Sequence, residues 1–256
     1  MIHLIQARLH QGHRTMRYPD GPSPEMPDRF RGRPVVDQAK CRSGCDACRS
    51  ACPTQAITIN GKASIDLGKC LFCTDCTRAC PEGAISYSRD YRLAVMRRED
   101  LITDGEPLRL AEGMRDELLR LLGRSLKLRQ VSAGGCNGCE SDTNVLNTVG
   151  WDLARFGIQF VASPRHADGL LITGAMTENM RLALMKTYDA VPAPKIVVAL
   201  GACAISGGPF AGHEEIHDGV AKFLSVDLFI PGCPPHPLTI LDGLLRLIRR
   251  RLGGTS

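Results

Sequence analysis

The sequence predicts two units in tandem: a first organised around clustered cysteines and, from residue 126, an α/β unit with a mostly parallel sheet. Three observations carry this. Eight of the twelve cysteines fall at 41, 45, 48, 52, 70, 73, 76 and 80, as two runs of four that each close on Cys-Pro. The two endings, Cys52-Pro53-Thr54-Gln55-Ala56-Ile57 and Cys80-Pro81-Glu82-Gly83-Ala84-Ile85, form an internal repeat. Beyond residue 126 short apolar runs alternate with segments of helical periodicity, the pattern of parallel strands joined by helices, and the last four cysteines, 136, 139, 203 and 233, each follow such a run.

The chain has 256 residues, enough for one large or two modest cores. With 43% apolar and 23% charged residues it has a globular composition, and a net charge of +5 does not by itself point to nucleic acid. No apolar stretch approaches the ~18 residues of a membrane-spanning helix, and no leader pattern opens the chain, so neither a span nor secretion is expected. Twelve cysteines in such a chain favour metal or redox chemistry over disulfides.

Residues 1–38 form a basic arm in which Pro19, Gly21, Pro22, Pro24, Pro27, Gly32 and Pro34 leave room only for a short helix over 1–10, with Ile2, Ile5 and Leu9 on one face. The arm is expected either to lie extended in solvent or to dock as a strap on a partner or an acidic lipid surface. Residues 39–90 hold the cysteine repeat. Residues 91–125 read as a connector with a helix after Pro107 carrying Met114, Leu118, Leu121 and Leu122. In residues 126–256, strands are expected over 126–131, 158–162, 170–173, 196–200 and 226–230. Helices are expected over 177–190, with Met180, Leu184 and Tyr188 in step, and over 237–250, with Ile240, Leu244, Leu247 and Ile248.

The run Cys70-x2-Cys73-x2-Cys76-x3-Cys80-Pro81 has the spacing of bacterial ferredoxins, in which the fourth cysteine serves the other of two four-iron four-sulfur clusters. The spacing therefore predicts one ligand set of Cys41, Cys45, Cys48 and Cys80 and another of Cys52, Cys70, Cys73 and Cys76. Cys41-x3-Cys45 carries one residue more than the pattern, which Gly44 is placed to absorb. Paired cysteines also make zinc sites, but zinc ribbons do not duplicate a four-cysteine run ending in Cys-Pro. Cys136, Cys139, Cys203 and Cys233 all stand in Gly- or Pro-rich loops after apolar strands. The carboxyl ends of parallel strands share one edge, so these four are expected to converge on a third cluster. Buried structural cysteines would instead scatter among apolar neighbours, and neither G-x-G-x-x-G nor a P-loop follows any strand.

Residues 35–90 resemble a two-cluster ferredoxin domain, which implies a ferredoxin-like α+β fold. The preceding Arg29-Phe30-Arg31-Gly32-Arg33-Pro34 is similar to the lead-in of two-cluster subunits of complex I and membrane-bound hydrogenases. Residues 126–252 resemble the small subunit of nickel-iron hydrogenases and the homologous 20 kDa subunit of complex I, implying a flavodoxin-like α/β fold. Cys136-Asn137-Gly138-Cys139-Glu140 has the hydrogenase form of the first motif. Residues 155–158 and 162–168 look like the energy-converting (group 4), formate-hydrogenlyase type.

The resemblance implies an electron-transfer subunit with three clusters and no catalytic centre of its own, since three quartets exhaust the cysteines. The implied partners are a nickel-iron large subunit, further electron-transfer and membrane subunits, and a soluble carrier, with no nucleic acid. The implied place is the cytoplasmic face of the cell membrane, peripherally bound. The alternative is a cluster-bearing subunit of a complex I-like quinone oxidoreductase.

Four further side chains stand out. Glu140 either joins a proton path or accepts backbone hydrogen bonds at a helix start, the latter favoured. His213 and His217 would share a helix face, read as a solvated helix end. His236 either tunes the nearby Cys233 or packs. Arg249, Arg250 and Arg251 suit a helix C-terminus.

Overall fold

Chain segments between closely spaced cysteines are too short for long elements, and the first unit is accordingly built from small pieces. The computed structural model describes residues 2–12, 14–112 and 125–248. After helix α1 (Ile2–Gln11) come β1 (Pro34–Val36), α2 (Ala47–Ser50), β2 (Ile57–Asn60), β3 (Lys62–Asp66), α3 (Asp75–Ala79), β4 (Ile85–Tyr87) and β5 (Ile102–Thr103). Strand β1 pairs antiparallel with β4, with Pro34 opposite Tyr87 and Val36 opposite Ile85. A second antiparallel sheet runs β2-β3-β5. Asp66 closes the turn into Cys70: its carboxylate takes a fork of hydrogen bonds from Arg98 at 2.8 and 2.6 Å and another from the Gly68 N–H at 2.9 Å.

In the second unit, runs of Val, Ile and Leu that are apolar on both faces require cover on both. Strands β6 (Leu126–Ser132), β7 (Ile158–Phe160), β8 (Gly169–Thr173), β9 (Ile196–Leu200) and β10 (Leu228–Ile230) form one wholly parallel sheet in the order β7-β6-β8-β9-β10. Counted within the unit this is 2-1-3-4-5, the flavodoxin-like order, whose direction reverses beside the first strand. Helices α4 (Gly138–Val145), α5 (Glu178–Ala190), α6 (Gly201–Ser206) and α7 (Pro237–Leu247) connect or cover it. Every expected strand is present: Ile196–Leu200 matches, Leu126–Ser132 and Gly169–Thr173 are one residue longer than expected, and Ile158–Phe160 and Leu228–Ile230 are two residues shorter. The expected connector helix and Arg249, Arg250 and Arg251 lie outside the described residues.

The two sheet faces do different work. On one, Leu128, Leu171, Val198 and Ile230 pack with Leu238, Leu241, Leu244 and Leu245 of α7. On the other, Leu170, Ile172, Val197 and Phe229 share a continuous core with Leu67, Val95 and Leu101 of the preceding chain, so both units are held by one hydrophobic cluster. Residues 91–112 take part in this. Leu93, Ala94 and Val95 are buried, and Val95 exchanges backbone hydrogen bonds with Phe229 at 3.0 and 2.8 Å, lying antiparallel along the outer edge of β10.

The reading of residues 1–38 as a solvated arm is corrected for its second half, which is strapped to the body. Met16 N–H donates to Gly150 O at 2.8 Å, and Arg155 donates to Tyr18 O at 2.8 Å. Tyr18 is buried and its hydroxyl donates to Asp242 at 2.7 Å, a carboxylate inside α7 that Arg246 also meets at 2.6 Å. Burial pushes the Asp242 carboxyl up, and Arg246 and Tyr18 oppose that shift. Gly32 and Arg33 then pair by their N–H groups with Ser88 O and Asp90 O, which carries the chain into β1. Helix α1 alone stays exposed along its length. Among the described residues no helix is long and apolar enough to cross a membrane.

Tyr18→Phe leaves a buried carboxylate short of one donor, so a loss of about 1–3 kcal/mol is expected in chemical denaturation. Limited proteolysis between residues 12 and 34 should accelerate in the same variant, because the strap loses its deepest anchor.

Candidate metal centres

All twelve cysteines are free thiols. The repeat seen in the sequence reappears as repeated geometry. After Cys52, the Ala56 N–H donates to the Cys52 sulfur at 3.2 Å; after Cys80, the Ala84 N–H donates to the Cys80 sulfur at 3.3 Å. In both turns the residue before the alanine has positive φ, 51° at Gln55 and 58° at Gly83. Each Cys-Pro turn thus aims a sulfur and a backbone donor at the same place. The extra residue of the first run is absorbed where expected, Gly44 standing at φ 75°.

The fold gathers Cys41, Cys45, Cys48 and Cys80 around one hollow, with Val36, Ala63 and Ile85 as apolar wall. Cys70 and Cys76 both lie 4.0 Å from the Tyr87 hydroxyl, and Phe72 N–H donates to the Cys70 sulfur at 3.4 Å. Burial pushes the Cys70 thiol up to about 12, with Cys76 and Cys52 adding to it; Cys76 is raised by burial and by Cys73 and Cys52. Cys52, Cys70, Cys73 and Cys76 are therefore electrostatic neighbours.

At the carboxyl end of the parallel sheet the other four meet. Burial raises the Cys139 thiol, and Glu140, Cys203, Cys233 and Cys136 add to the shift; Cys203 is pushed up to about 11 by burial first, then Cys233 and Cys136. Cys139 and Cys203 sit in the first turns of α4 and α6, not in the loops expected for all four, because each helix begins within a residue or two of its motif glycine. Gly201 has φ 88°, and a Cβ there would stand 2.6 Å from the Cys139 sulfur, so only glycine lets β9 turn into α6 beside that thiol. Cys136 and Cys233 are exposed.

This donor set fits iron–sulfur clusters. Grouped, poorly solvated thiols resist ionisation unless a cationic core neutralises them, and backbone N–H groups already point at three of the sulfurs. Among the described residues no three His, Cys, Asp or Glu side chains come together closely enough to hold a single metal ion.

Other expectations resolve differently. The Glu140 side chain is buried and accepts from Thr173 Oγ1 at 2.5 Å, reaching across to β8 instead of to its own helix start. His213 and His217 share no helix: the chain there is a series of turns, His217 Nε2 meets Glu178 at 2.6 Å, and its ring stands edge-on to Phe223. His236 packs and caps, its Nδ1 accepting from Leu238 N–H at 3.1 Å while its ring meets Phe30 and Trp151 edge-on. Two side chains are missed by sequence reasoning. Tyr87 places a hydroxyl between two sulfurs; its only signal is an aromatic residue two places past the repeat. Arg31 donates to Phe72 O at 2.6 Å beside Cys73, and the sequence marks it only as part of a motif.

Fold and cysteine pattern together define an iron–sulfur protein of oxidoreductase type. Residues 40–84 match the model of the 4Fe-4S dicluster domain, and residues 136–247 match that of the NADH ubiquinone oxidoreductase, 20 Kd subunit. The chain belongs to the latter family, with the dicluster domain preceding it. Among its relatives, formate hydrogenlyase subunit 7 of Escherichia coli (strain K12) is 44% identical over 130 residues, covering 51% of this chain and 51% of that protein. Probable membrane-bound hydrogenase subunit mbhJ of Pyrococcus furiosus is 38% identical over 134 residues, covering 52% of this chain and 80% of that one. An NADH-quinone oxidoreductase subunit from Bacteroides thetaiotaomicron is 41% identical over 151 residues, covering 56% and 75% respectively. The chain thus spans about half the length of the Escherichia coli relative. Hydrogenase and complex I-type subunits both appear, as the resemblance implied.

Gly201→Ala combines a left-handed backbone with a sulfur contact of 2.6 Å, and a destabilisation of about 2 kcal/mol or more is expected from the denaturation midpoint. Gly150→Ala, whose Cβ would meet open space, should stay within about 1 kcal/mol of the parent.

Proposed function

We propose that this chain is an electron-transfer subunit of a membrane-associated nickel-iron hydrogenase complex, relaying single electrons to or from a nickel-iron site held by a partner large subunit. The observation that carries the reading is the partition of all twelve cysteines into three neighbourhoods without remainder. Cys41, Cys45, Cys48 and Cys80 hold the first cluster; Cys52, Cys70, Cys73 and Cys76 the second; Cys136, Cys139, Cys203 and Cys233 the third. Each cubane, when bound, takes up or releases one electron.

The chain's own residues set the order of transfer. Cys233 is raised by burial, then by Cys136, and also by Cys73, which makes the second and third quartets neighbours. The first and second are interlocked through their exchanged Cys80 and Cys52. Electrons therefore pass along a line of first, second and third cluster, in either direction. Exposed Cys136 and Cys233 mark the face the large subunit covers. No thiolate is left over for a catalytic nickel-iron site, so the bond chemistry belongs to the partner. Further electron-transfer and membrane subunits hold the assembly at the cytoplasmic face of the membrane, and a soluble carrier meets the first cluster. The units of the chain are the arm, 1–38, the two-cluster domain, 39–90, the connector, 91–125, and the third-cluster domain, 126–256.

Anaerobically purified chain should contain about twelve iron and twelve acid-labile sulfide. Zinc in place of iron would overturn the reading. Co-purification of a nickel-containing large chain, with dye-linked hydrogen turnover, is the expected result for the complex; quinone reduction without nickel would assign it instead to a complex I-like oxidoreductase.

A further inference from the structure

The strap of residues 29–36 touches both of the adjoining cysteine neighbourhoods. Phe30 stacks edge-on against His236, three residues past Cys233. Arg31 donates to the carbonyl of Phe72, the residue before Cys73, at 2.6 Å. Pro34 then pairs with Tyr87, whose hydroxyl is 4.0 Å from the sulfurs of both Cys70 and Cys76. Arg29, Phe30 and Arg31 line one wall of a cavity of about 310 Å³, with Leu71 and Phe72 on a second wall and Cys233 on a third. Asp142 also borders this cavity; burial raises its carboxyl, with no cation among the causes of the shift.

We infer that Arg31 is a positioning and tuning residue for the second cluster, raising its reduction potential relative to the same site without the cation. The inference rests on the proposed ligand set Cys52, Cys70, Cys73 and Cys76. Reduction adds one negative charge to a cluster, and a guanidinium tethered to the neighbouring Phe72 carbonyl favours the reduced form by direct charge attraction. The hydrogen bond to Phe72 O holds the charge there and fixes the Phe72 backbone, which has φ 56° and carries the N–H donor to the Cys70 sulfur. One arginine thereby supplies charge to the cluster and order to its loop.

The test is an EPR-monitored redox titration of the full chain, with the second cluster identified by the signal lost in Cys73→Ala. Arg31→Gln should lower the ratio of reduced to oxidised second cluster about tenfold at fixed ambient potential, ~59 mV for a one-electron couple. Arg31→Lys, which keeps the charge, should stay within about threefold of the parent. An unchanged signal in Arg31→Gln at full iron content overturns the inference. If Arg31→Gln loses iron, Arg31→His decides: its potential should fall as pH rises from 5 to 8 by more than in the parent, which carries Arg29, Asp142 and His236 around the same cavity and supplies the baseline. An equal slope in both overturns the inference. A parent chain lacking the second signal altogether refutes the ligand assignment instead.

Discussion

Every arrangement in this protein answers to the cost of crowding thiolates where water is scarce. Sulfur ligands must be close to one another and shielded, yet both conditions disfavour the charged form, as the upward shifts of Cys70, Cys139 and Cys203 record. A cationic iron core offsets the repulsion when present. The protein contributes what remains, namely backbone N–H groups aimed at sulfur by the two Cys-Pro turns, a tyrosine hydroxyl between two ligands, and apolar walls that keep the surroundings dry. The small elements of the first unit and the parallel sheet of the second are two ways of delivering sulfur to a shared point, one by tight local turns and one by strand ends remote in sequence.

Much of this was legible in the chain itself. Two cysteine runs that each close on Cys-Pro, the second with ferredoxin spacing and the first longer by one residue, are local signals. Strands β8, β9 and β10 were visible because a strand buried on both faces must be apolar at nearly every position, as Gly169–Thr173, Ile196–Leu200 and Leu228–Ile230 are. What was not legible depends on long-range packing. Nothing local says that Glu140 reaches Thr173 across the sheet, or that Tyr18 enters the core to meet Asp242, 224 positions away. The helix expected at His213 and His217 failed because spacing alone cannot sustain a helix bounded by Gly212 and Gly219, both at positive φ.

The strap shows how a segment poor in regular structure acquires a role through single anchors. Its prolines and glycines prevent a helix, so its backbone groups must find partners elsewhere, and they find them on both units. A basic, proline-rich stretch is easily taken for solvated tail on composition alone. Here it is anchored at Met16, Tyr18, Gly32 and Arg33, while the helix before it is exposed along its length.

The single backbone bridge between Val95 and Phe229 has a bearing on solubility. A parallel sheet ends in two rows of unpaired N–H and C=O groups, and each is an invitation to intermolecular strand addition. By laying residue 95 along the outermost strand, the chain blunts one of those rows with its own backbone. The opposite border, at Ile158–Phe160, is only three residues long, too brief to template a stranger. A polypeptide carrying so much apolar sheet thereby guards itself against fibrous self-association.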